Sequence, residues 1–228
     1  MTTRVDIIVP VHNEQGSIDE FYDRVARLGL AERLLFVDNA SSDRTVACIE
    51  RHRDVRVIRH QTNEGYGASI RKGIAASDGE YIVVIDADLE YPPETIPAIL
   101  DALDTHPVVY ASRFIGPRAP AMSLPRRLGN RFVSGLFNLL FGQHTTDLYT
   151  GMKGLRRSSL PLSHLRRDGF EHGVELAALI AMAGRRIEEI PVDYHPRRKG
   201  RSKMRHIPEG LKLTFHLVSY WVLGRLGR

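Results

Sequence analysis

Short apolar runs alternate with amphipathic helical patterns along the first half of the chain, and this alternation limits the fold more than any other feature. Apolar runs predict β-strands at residues 5–11, 33–38, 55–60 and 81–86, and a segment with helical spacing follows each of them. Strands that alternate with helices pair in parallel, and the helices cover both faces of the sheet. The sequence therefore predicts an α/β fold with a mostly parallel central sheet.

The second half of the chain is less regular, although it contains the same two kinds of pattern. The predicted strands are residues 108–114, 150–157 and 186–196, and the predicted helices are residues 127–141, residues 173–184 and the tail from 207. A proline-rich loop spans residues 116–126. Because no internal repeat or change in composition appears, nothing in the pattern predicts a second domain.

Polar residues follow each of the first four predicted strands, in the segments PVHNE, DNASSD, QTNEGYG and DADLE. Because ligands bind at the carboxyl ends of parallel strands, we expect a site at this edge of the sheet. In the last segment Asp86 and Asp88 are two residues apart, so their side chains point the same way. Two such carboxylates repel each other unless a cation lies between them, and hard oxygen ligands suit Mg²⁺ or Mn²⁺.

The charge and the composition of the chain limit its possible binding partners and its cellular location. The formal net charge is +5, and the basic residues are concentrated in runs such as PRRLGNR (125–131) and HPRRKGRSKMRH (195–206). These runs lack the interleaved aromatic residues that stack on bases, which disfavours nucleic acid and favours an anionic substrate or membrane surface. The single cysteine, Cys48, and the lack of an apolar signal-peptide core favour a reducing, cytoplasmic location. No apolar run reaches the ~18–20 residues of a membrane-spanning helix.

Seven motifs resemble those of family-2 glycosyltransferases of the GT-A fold, and they are most similar to those of dolichyl-phosphate and polyprenyl-phosphate sugar synthases. They are VPVHNE, VDNASSDRT, NEGYGASIRKG, DADLEYPPE, SRF, TDLYTGMKGLRR and PRRKGRSK, in family order between residues 5 and 206. The resemblance implies a Rossmann-like domain over residues 1–206 that binds a nucleotide-diphosphate sugar. An amphipathic helix over residues 207–228 would follow it and lie in a membrane interface or pack on the domain.

The resemblance also implies roles for residues on the donor side of the site. The nucleotide would contact Pro10, Asn13, Glu14 and Asp38, and the backbone would approach it closely at Gly65 and Gly67. Asp86 and Asp88 would hold the metal and the donor diphosphate, which makes Asp88 a candidate catalytic residue. Glu90 stands where relatives often carry glutamine, so it is a third candidate metal ligand whose charge alters the expected metal preference.

On the acceptor side, the resemblance implies that arginines hold the phosphate of a lipid acceptor. Arg113 matches one of them and Arg127 or Arg131 matches the other, and a guanidinium fork suits phosphate oxygens. Asp147 matches an acidic position near the acceptor and is the candidate base for an alcohol acceptor. A basic segment would close on the donor diphosphate and stabilise its charge as it leaves, through Arg197 and Lys203, with Gly200 and Ser202 matching the same motif.

These expectations define one function and two alternatives. The first is a metal-dependent, inverting glycosyltransferase that moves a sugar from a nucleotide-diphosphate sugar to a polyprenyl phosphate, in the cytoplasm or peripherally at the cytoplasmic face of a membrane. The second is a soluble transferase of the same fold that acts on a small-molecule or secondary-metabolite acceptor. The third is a non-catalytic module that binds nucleotide sugars, which the intact acidic cluster and basic loop disfavour.

Overall fold

A seven-stranded sheet forms the centre of the molecule in the computed structural model, which describes residues 4–116, 122–160, 164–195 and 206–226. Its strands are β1 (Val5–Val11), β2 (Leu34–Asp38), β3 (Arg56–Arg59), β4 (Tyr81–Val84), β5 (Val108–Ser112), β6 (Lys153–Arg156) and β7 (Glu188–Pro191). They lie in the order β3-β2-β1-β4-β6-β5-β7. Neighbours are parallel except where β6 runs antiparallel to β4 and to β5. The predicted α/β fold with a mostly parallel sheet is confirmed.

Helices cover both faces of this sheet. They are α1 (Ile18–Ala26), α2 (Thr45–Ile49), α3 (Tyr66–Ala76), α4 (Ile96–Leu103), α5 (Leu124–Phe141), α6 (His172–Met182) and α7 (His206–Leu226). Side chains of α1, α2 and α4 form the apolar layer on one face, and side chains of α3, α5, α6 and α7 form the layer on the other. Each predicted strand and helix has a counterpart here, usually with shorter bounds.

The central strands are buried on both faces, which explains their unbroken apolar sequence. In β1, Ile7 and Val9 pack into the layer with α1 and α4, whereas Ile8 packs into the layer with α3. Strands in this position read as continuous runs of β-branched residues rather than as an alternating pattern. Because an unpaired polar side chain is costly in either layer, the polar residues collect where the strands end.

The C-terminal helix α7 packs against α5 and α6. Leu213 and Leu217 of this helix are buried in the core, whereas Phe215, Val218 and Val222 are exposed. The helix therefore has one apolar face toward the domain and further apolar residues toward solvent. Within the described ranges, no helix is both long enough and apolar enough to cross a membrane.

A buried carboxylate on α6 joins α7 to the loop that precedes α6. The Glu175 side chain accepts hydrogen bonds from the Tyr220 hydroxyl (2.7 Å) and from the backbone N–H groups of Arg166 and Arg167 (both 2.9 Å). Burial opposes ionisation of Glu175, but His172 and these donors outweigh it and lower its pKa to about 2. The ionised carboxylate therefore stabilises the packing of α7 on the domain.

We predict that replacing Glu175 by Gln lowers the free energy of unfolding at pH 7 and makes it less dependent on pH. Because the folded pKa is depressed from 4.5 to about 2, the carboxylate contributes stability above pH 4.5 that is lost as the pH falls toward 2. Each unit of pKa difference corresponds to about 1.4 kcal/mol. Urea unfolding of both proteins between pH 3 and pH 7 measures the effect, and parallel pH profiles would contradict it.

Candidate active site

A cleft of about 1170 Å³ lies at the carboxyl ends of the parallel strands, with α5 and α7 on its other side. Polar residues that follow four strands line it, as the sequence pattern predicts. They are His12 and Glu14 after β1, Asn39 after β2, Asn63 and Tyr66 after β3, and Asp86, Asp88 and Glu90 after β4. The cleft is therefore assembled from segments that are far apart in sequence.

Three loops at this edge of the sheet contain a non-glycine residue with positive φ. Asn13 (54°), Ala40 (58°) and Leu89 (62°) follow β1, β2 and β4, and no other non-glycine residue in the described part of the chain has positive φ. Left-handed backbone costs an ordinary residue ~1–2 kcal/mol, and such residues concentrate at functional sites. Leu89 lies between Asp88 and Glu90, so its turn places both acids on the lining of the cleft.

Asp86 and Asp88 both line the cleft just beyond β4. Asp88 is only 8% exposed, and its carboxylate accepts a hydrogen bond from the backbone N–H of Glu90 (2.9 Å). Burial raises the pKa of the Tyr66 hydroxyl well above its usual value, with the charge of Asp86 and a hydrogen bond to it as further causes. The Tyr66 ring stacks on Phe170 with centroids 5.6 Å apart. Tyr66 therefore stays neutral and donates toward Asp86.

The carboxylate oxygens at this edge of the sheet are suitable ligands for a divalent cation that also binds a substrate. Among the residues that the structure describes, no group of three or more His, Cys, Asp or Glu side chains is arranged to hold a metal ion. The assignment of Asp86, Asp88 and Glu90 as metal ligands therefore stays a prediction. The Glu90 carboxylate also accepts a hydrogen bond from the Tyr194 hydroxyl. Burial and the nearby Glu90 raise the pKa of Tyr194 to about 12. Two carboxylates still suffice for Mg²⁺, which takes its remaining ligands from water and substrate phosphates.

The residues predicted to contact the nucleotide after β1 have different positions. Pro10 and Glu14 line the cleft. Asn13 is exposed beside it, and its side-chain oxygen accepts hydrogen bonds from the backbone N–H groups of Ser42 (2.8 Å) and Asp43 (3.3 Å). Asn13 therefore fixes the loop after β2, which a motif match does not reveal.

Asp38, predicted to meet the base of the nucleoside, also shapes that loop. It is 3% exposed, lies outside the lining of the cleft, and accepts a hydrogen bond from the backbone N–H of Ser41 (3.2 Å). The neighbouring Asn39 does line the cleft, and its side-chain amide donates to the Asn63 side chain (2.9 Å). The amides of Asn39 and Asn63 are thus the polar groups that this part of the chain presents to a ligand.

Gly65 and Gly67 are explained by contact with the protein backbone. Gly65 has a φ of 102°, and a Cβ there would lie 2.3 Å from the carbonyl oxygen of Asp168. A Cβ on Gly67 would lie 2.4 Å from the carbonyl oxygen of Arg167. Gly65 is part of the lining of the cleft, whereas Gly67 is buried outside it. The predicted approach of Gly67 to a nucleotide is thus replaced by close packing against the loop before α6.

Arg113 and Asp147 form a buried ion pair on the predicted acceptor side. Arg113 donates through Nε and one Nη to the two carboxylate oxygens of Asp147 (2.7 and 2.8 Å), and its backbone N–H donates as well (3.1 Å). Asn130 of α5 adds a further donor at 2.6 Å. Asp147 has no exposed surface, so the carboxylate predicted to act as a base is fully engaged in structural contacts.

The Arg113 guanidinium also lies between two aromatic rings. Its central carbon is 5.7 Å from the centroid of the Tyr91 ring and 5.3 Å from that of Tyr194. Arg113 lines the cleft, but its charge is balanced by Asp147. We therefore expect it to attract an acceptor phosphate less strongly than an arginine without a carboxylate partner would.

The other arginines predicted at the acceptor lie on α5. Arg126, which begins the Arg126–Arg131 region expected to help hold the acceptor phosphate, is exposed and lines the cleft. Arg127 and Arg131 lie outside the lining, four residues apart on one side of the helix. The remaining predicted residues, Arg197, Gly200, Ser202 and Lys203, lie outside the part of the chain that the structure describes.

Lys153 is a cleft residue that sequence reasoning missed, as it missed Tyr66 and Asn130. Lys153 begins β6, is 6% exposed, and donates to the carbonyl oxygen of Thr150. The sequence did contain a signal for Lys153, because it is a lysine within a predicted strand. A charged side chain is rarely buried in such a position without a functional or structural reason. For Tyr66 and Asn130 we find no such signal, because their roles depend on Asp86 and Asp147, which are distant in sequence.

A family model matches most of the chain that forms this cleft. The model described as Glycosyl transferase family 2 matches residues 6–161, which is more than half of the chain. The chain belongs to glycosyl transferase family 2. The match extends from β1 through β6, so Asp86, Asp88, Arg113 and Asp147 all lie within the part shared with the family.

Similar members of glycosyl transferase family 2 bear the names of transferases to lipid phosphates. The chain is 28% identical to dolichol-phosphate mannosyltransferase of Pyrococcus furiosus over 95% of its length, and spans 64% of that relative. It is 31% identical to undecaprenyl-phosphate 4-deoxy-4-formamido-L-arabinose transferase of Edwardsiella ictaluri over 87% of its length, and spans 62% of it. The resemblance drawn from the seven motifs is confirmed.

A solved structure with the same fold is glucosyl-3-phosphoglycerate synthase from Mycobacterium tuberculosis in complex with Mn²⁺, UDP and glucosyl-3-phosphoglycerate. The TM-score is 0.71 at 17% sequence identity, and the alignment covers 98% of this chain and 80% of that one. At this identity the likeness bears on the fold alone, and it confirms the predicted GT-A fold.

We predict that replacing Arg113 by Met lowers the free energy of unfolding by about 3–5 kcal/mol, because Asp147 is left buried without its cation. The matched change Arg131→Met, on the exposed side of α5, should alter it by no more than about 0.5 kcal/mol. Chemical denaturation of both variants measures the difference. Equal stabilities would show that the ion pair does not carry the structural role described.

Proposed function

We propose that this chain transfers a sugar from a nucleotide-diphosphate sugar to the phosphate group of a polyprenyl phosphate. The observation that carries the proposal is a single cleft lined by acids beyond β4, Asp86 and Asp88, and by arginines from the segment after β5 and from α5, Arg113 and Arg126. The acids suit a cation bound to the donor diphosphate, and the arginines suit an anionic acceptor. The names of the two relatives, a mannosyltransferase and an arabinose transferase of lipid phosphates, support the same pairing.

On the donor side, Asp86 and Asp88 would hold Mg²⁺ or Mn²⁺ together with oxygens of the donor diphosphate. When bound, the cation supplies positive charge that stabilises the departing nucleotide diphosphate. Tyr66 donates toward Asp86 and orients its carboxylate, and the left-handed turn at Leu89 holds Asp88 on the lining. A solved relative in fold binds Mn²⁺ and UDP, which agrees with a divalent cation at this edge.

The acceptor side fits a nucleophile that is already ionised. Asp147, the acid predicted to act as a base on an alcohol, is buried and bonded to Arg113 and Asn130. A phosphate monoester is anionic near neutral pH, so it can attack without giving a proton to the enzyme. Its oxygen would form a bond to the anomeric carbon as the bond from that carbon to the diphosphate breaks. Attack from the opposite side would invert the configuration at this carbon.

Positive charge near the cleft would bind the two phosphate groups. On α5, Arg126 lines the cleft, and Arg127 and Arg131 lie outside the lining on the same helix, where we propose that they attract the anionic acceptor. The basic segment with Arg197 and Lys203 would act on the donor, where it adds charge to stabilise the leaving diphosphate. Each group thus serves one substrate, so donor and acceptor binding should respond to different substitutions.

An apolar surface beside the cleft suits a lipid acceptor. The α5–α7 apolar surface consists of Leu124, Leu128, Phe132 and Leu139 on α5 and of Phe215, Val218, Val222, Leu223 and Leu226 on α7. The two helices pack against each other, and Phe132 lines the cleft as well. Basic residues on α5 flank the surface, an arrangement that favours anionic headgroups. We therefore propose that this surface binds peripherally to the cytoplasmic face of a membrane.

A second candidate is transfer to a small phosphorylated acceptor. Glucosyl-3-phosphoglycerate synthase shares the fold, and one of its structures contains phosphoglyceric acid. The arginines of the cleft would suit such an acceptor equally well. The α5–α7 apolar surface distinguishes the two candidates, because a small acceptor has no use for it.

Replacing Asp88 by Asn should weaken binding of a nucleotide sugar at least tenfold in the presence of Mg²⁺ or Mn²⁺, because one of two carboxylate ligands loses its charge. Asp101→Asn changes an exposed carboxylate on α4 and should leave binding unaltered. Calorimetric titration with UDP-sugars and GDP-sugars, with and without EDTA, measures both variants and identifies the donor. Undiminished binding by Asp88→Asn, or by the wild type in EDTA, would contradict the proposed cation site.

The double substitution of Leu128 and Leu139 by Gln should reduce binding to anionic phospholipid vesicles several-fold. These side chains are 56% and 81% exposed, and their burial in the bilayer interface would favour binding. Ile115→Gln changes an exposed apolar residue outside both helices and serves as the control. Cosedimentation with phosphatidylglycerol vesicles provides the measurement. If the wild type does not sediment, or if all variants sediment alike, the small phosphorylated acceptor becomes the better candidate.

A further inference from the structure

Lys153 lies between the proposed donor and acceptor sides of the cleft. It begins β6, where its partners in the sheet are Val84 of β4 and Tyr110 of β5. Asp86 follows the first of these strands, and Arg113 follows the second. Because β6 runs antiparallel to both neighbours, its first residue meets their carboxyl ends, and Lys153 accordingly lines the cleft.

The charge of Lys153 is almost completely buried. The residue is 6% exposed, its ammonium donates to the carbonyl oxygen of Thr150, and it lies 5.2 Å from the centroid of the Tyr110 ring. Within the described ranges, no carboxylate lies at ion-pair distance from it. Desolvation lowers the pKa of Lys153 to about 8, and the charges of Asp86 and Asp147 offset this effect only in part.

These surroundings do not account for a charged side chain at this position. A carbonyl oxygen and an aromatic ring attract an ammonium group but carry no full charge, and the charges of Asp86 and Asp147 offset its desolvation only in part. A buried cation that is only partly balanced destabilises the folded state. An apolar side chain of similar length would fit the strand at lower cost. Costly buried charges of this kind are typical of binding sites, where the ligand supplies the missing counter-charge.

We propose that the Lys153 ammonium binds a phosphate oxygen of a substrate in the cleft. The identity of that substrate rests on the proposed function, whereas the anion site itself rests on the burial of Lys153 and its contacts with Thr150 and Tyr110. Both phosphate sources, the donor diphosphate and the acceptor phosphate, would lie next to β6. A group in this position can hold the two substrates close together, since it is near both.

The first test compares Lys153→Met with the wild type in the absence of any ligand. The change removes the charge and keeps the length of the side chain, so the variant should melt at the same temperature as the wild type or higher. Lys72→Met, at an exposed lysine that pairs with Glu64, is the matched control. A large loss of thermal stability in Lys153→Met alone would assign Lys153 to folding and overturn the proposal.

The second test measures anion binding by the same proteins in two arms. Inorganic pyrophosphate with Mg²⁺, followed by calorimetry, represents the donor, and geranyl phosphate represents the acceptor. Lys153→Met should bind at least one of these probes tenfold or more weakly, and the affected arm identifies the phosphate that Lys153 holds. Lys153→Arg should retain most of the affinity, and Lys72→Met all of it. Unchanged affinity of Lys153→Met in both arms would overturn the proposal.

A third measurement uses only the wild type and is therefore independent of the behaviour of any variant. Amine-selective labelling, read by mass spectrometry, should modify Lys153 more slowly when the probe anion is present, while labelling of Lys72 stays constant. Labelling of Lys153 that is unaffected at saturating pyrophosphate and geranyl phosphate would overturn the anion site. If the protein transfers no sugar to any prenyl phosphate but Lys153 is still protected, the proposed function fails and the anion site stands.

Discussion

The buried carboxylate of Asp147 is the contact on which the proposed acceptor side of the cleft depends. It bonds Arg113 beyond β5 and Asn130 on α5, and the Asp147 backbone N–H donates to Glu189 of β7 (2.9 Å). A charged group without exposed surface is stable only where donors surround it. One residue, through its side chain and its backbone N–H, thereby connects the ends of two strands and a helix beside the cleft. It also holds Arg113 between the Tyr91 and Tyr194 rings.

The proposed donor side is organised by loops with strained backbone that side chains hold in place. Asn13, Ala40 and Leu89 keep left-handed backbone at the ends of β1, β2 and β4. The side chain of Asn13 bonds the loop after β2, so two of these loops support each other. The turn that presents the acids after β4 thus has a conformational free-energy cost. Apolar burial in the central strands offsets a cost of this kind.

Features of the fold that depend on local sequence patterns were predictable, whereas features that depend on contacts between distant residues were not. The strands and helices follow from apolar periodicity, and the carboxyl edge of the sheet follows from parallel pairing, so the place of the site and of Asp86 and Asp88 was predictable. The need for glycine at position 67 was not predictable, because a side chain there would collide with the carbonyl oxygen of Arg167, which is a hundred residues away in the chain. The burial of Asp147 was hidden for the same reason, whereas Lys153 could have been noticed as a lysine within a predicted strand. A motif match identifies residue types, whereas solvent exposure and partners depend on the assembled fold.

The central claim, that the acceptor is a lipid phosphate, is tested most directly by transfer to matched acceptors. The protein would be incubated with Mg²⁺ or Mn²⁺, a nucleotide sugar that it binds, and either a prenyl phosphate or the prenyl alcohol of the same chain length. Because Asp147 is engaged by Arg113 and Asn130 rather than available as a base, the account predicts sugar transfer to the phosphate and at least a hundredfold slower transfer to the alcohol. Equal rates with the two acceptors, or transfer to the alcohol alone, would contradict it.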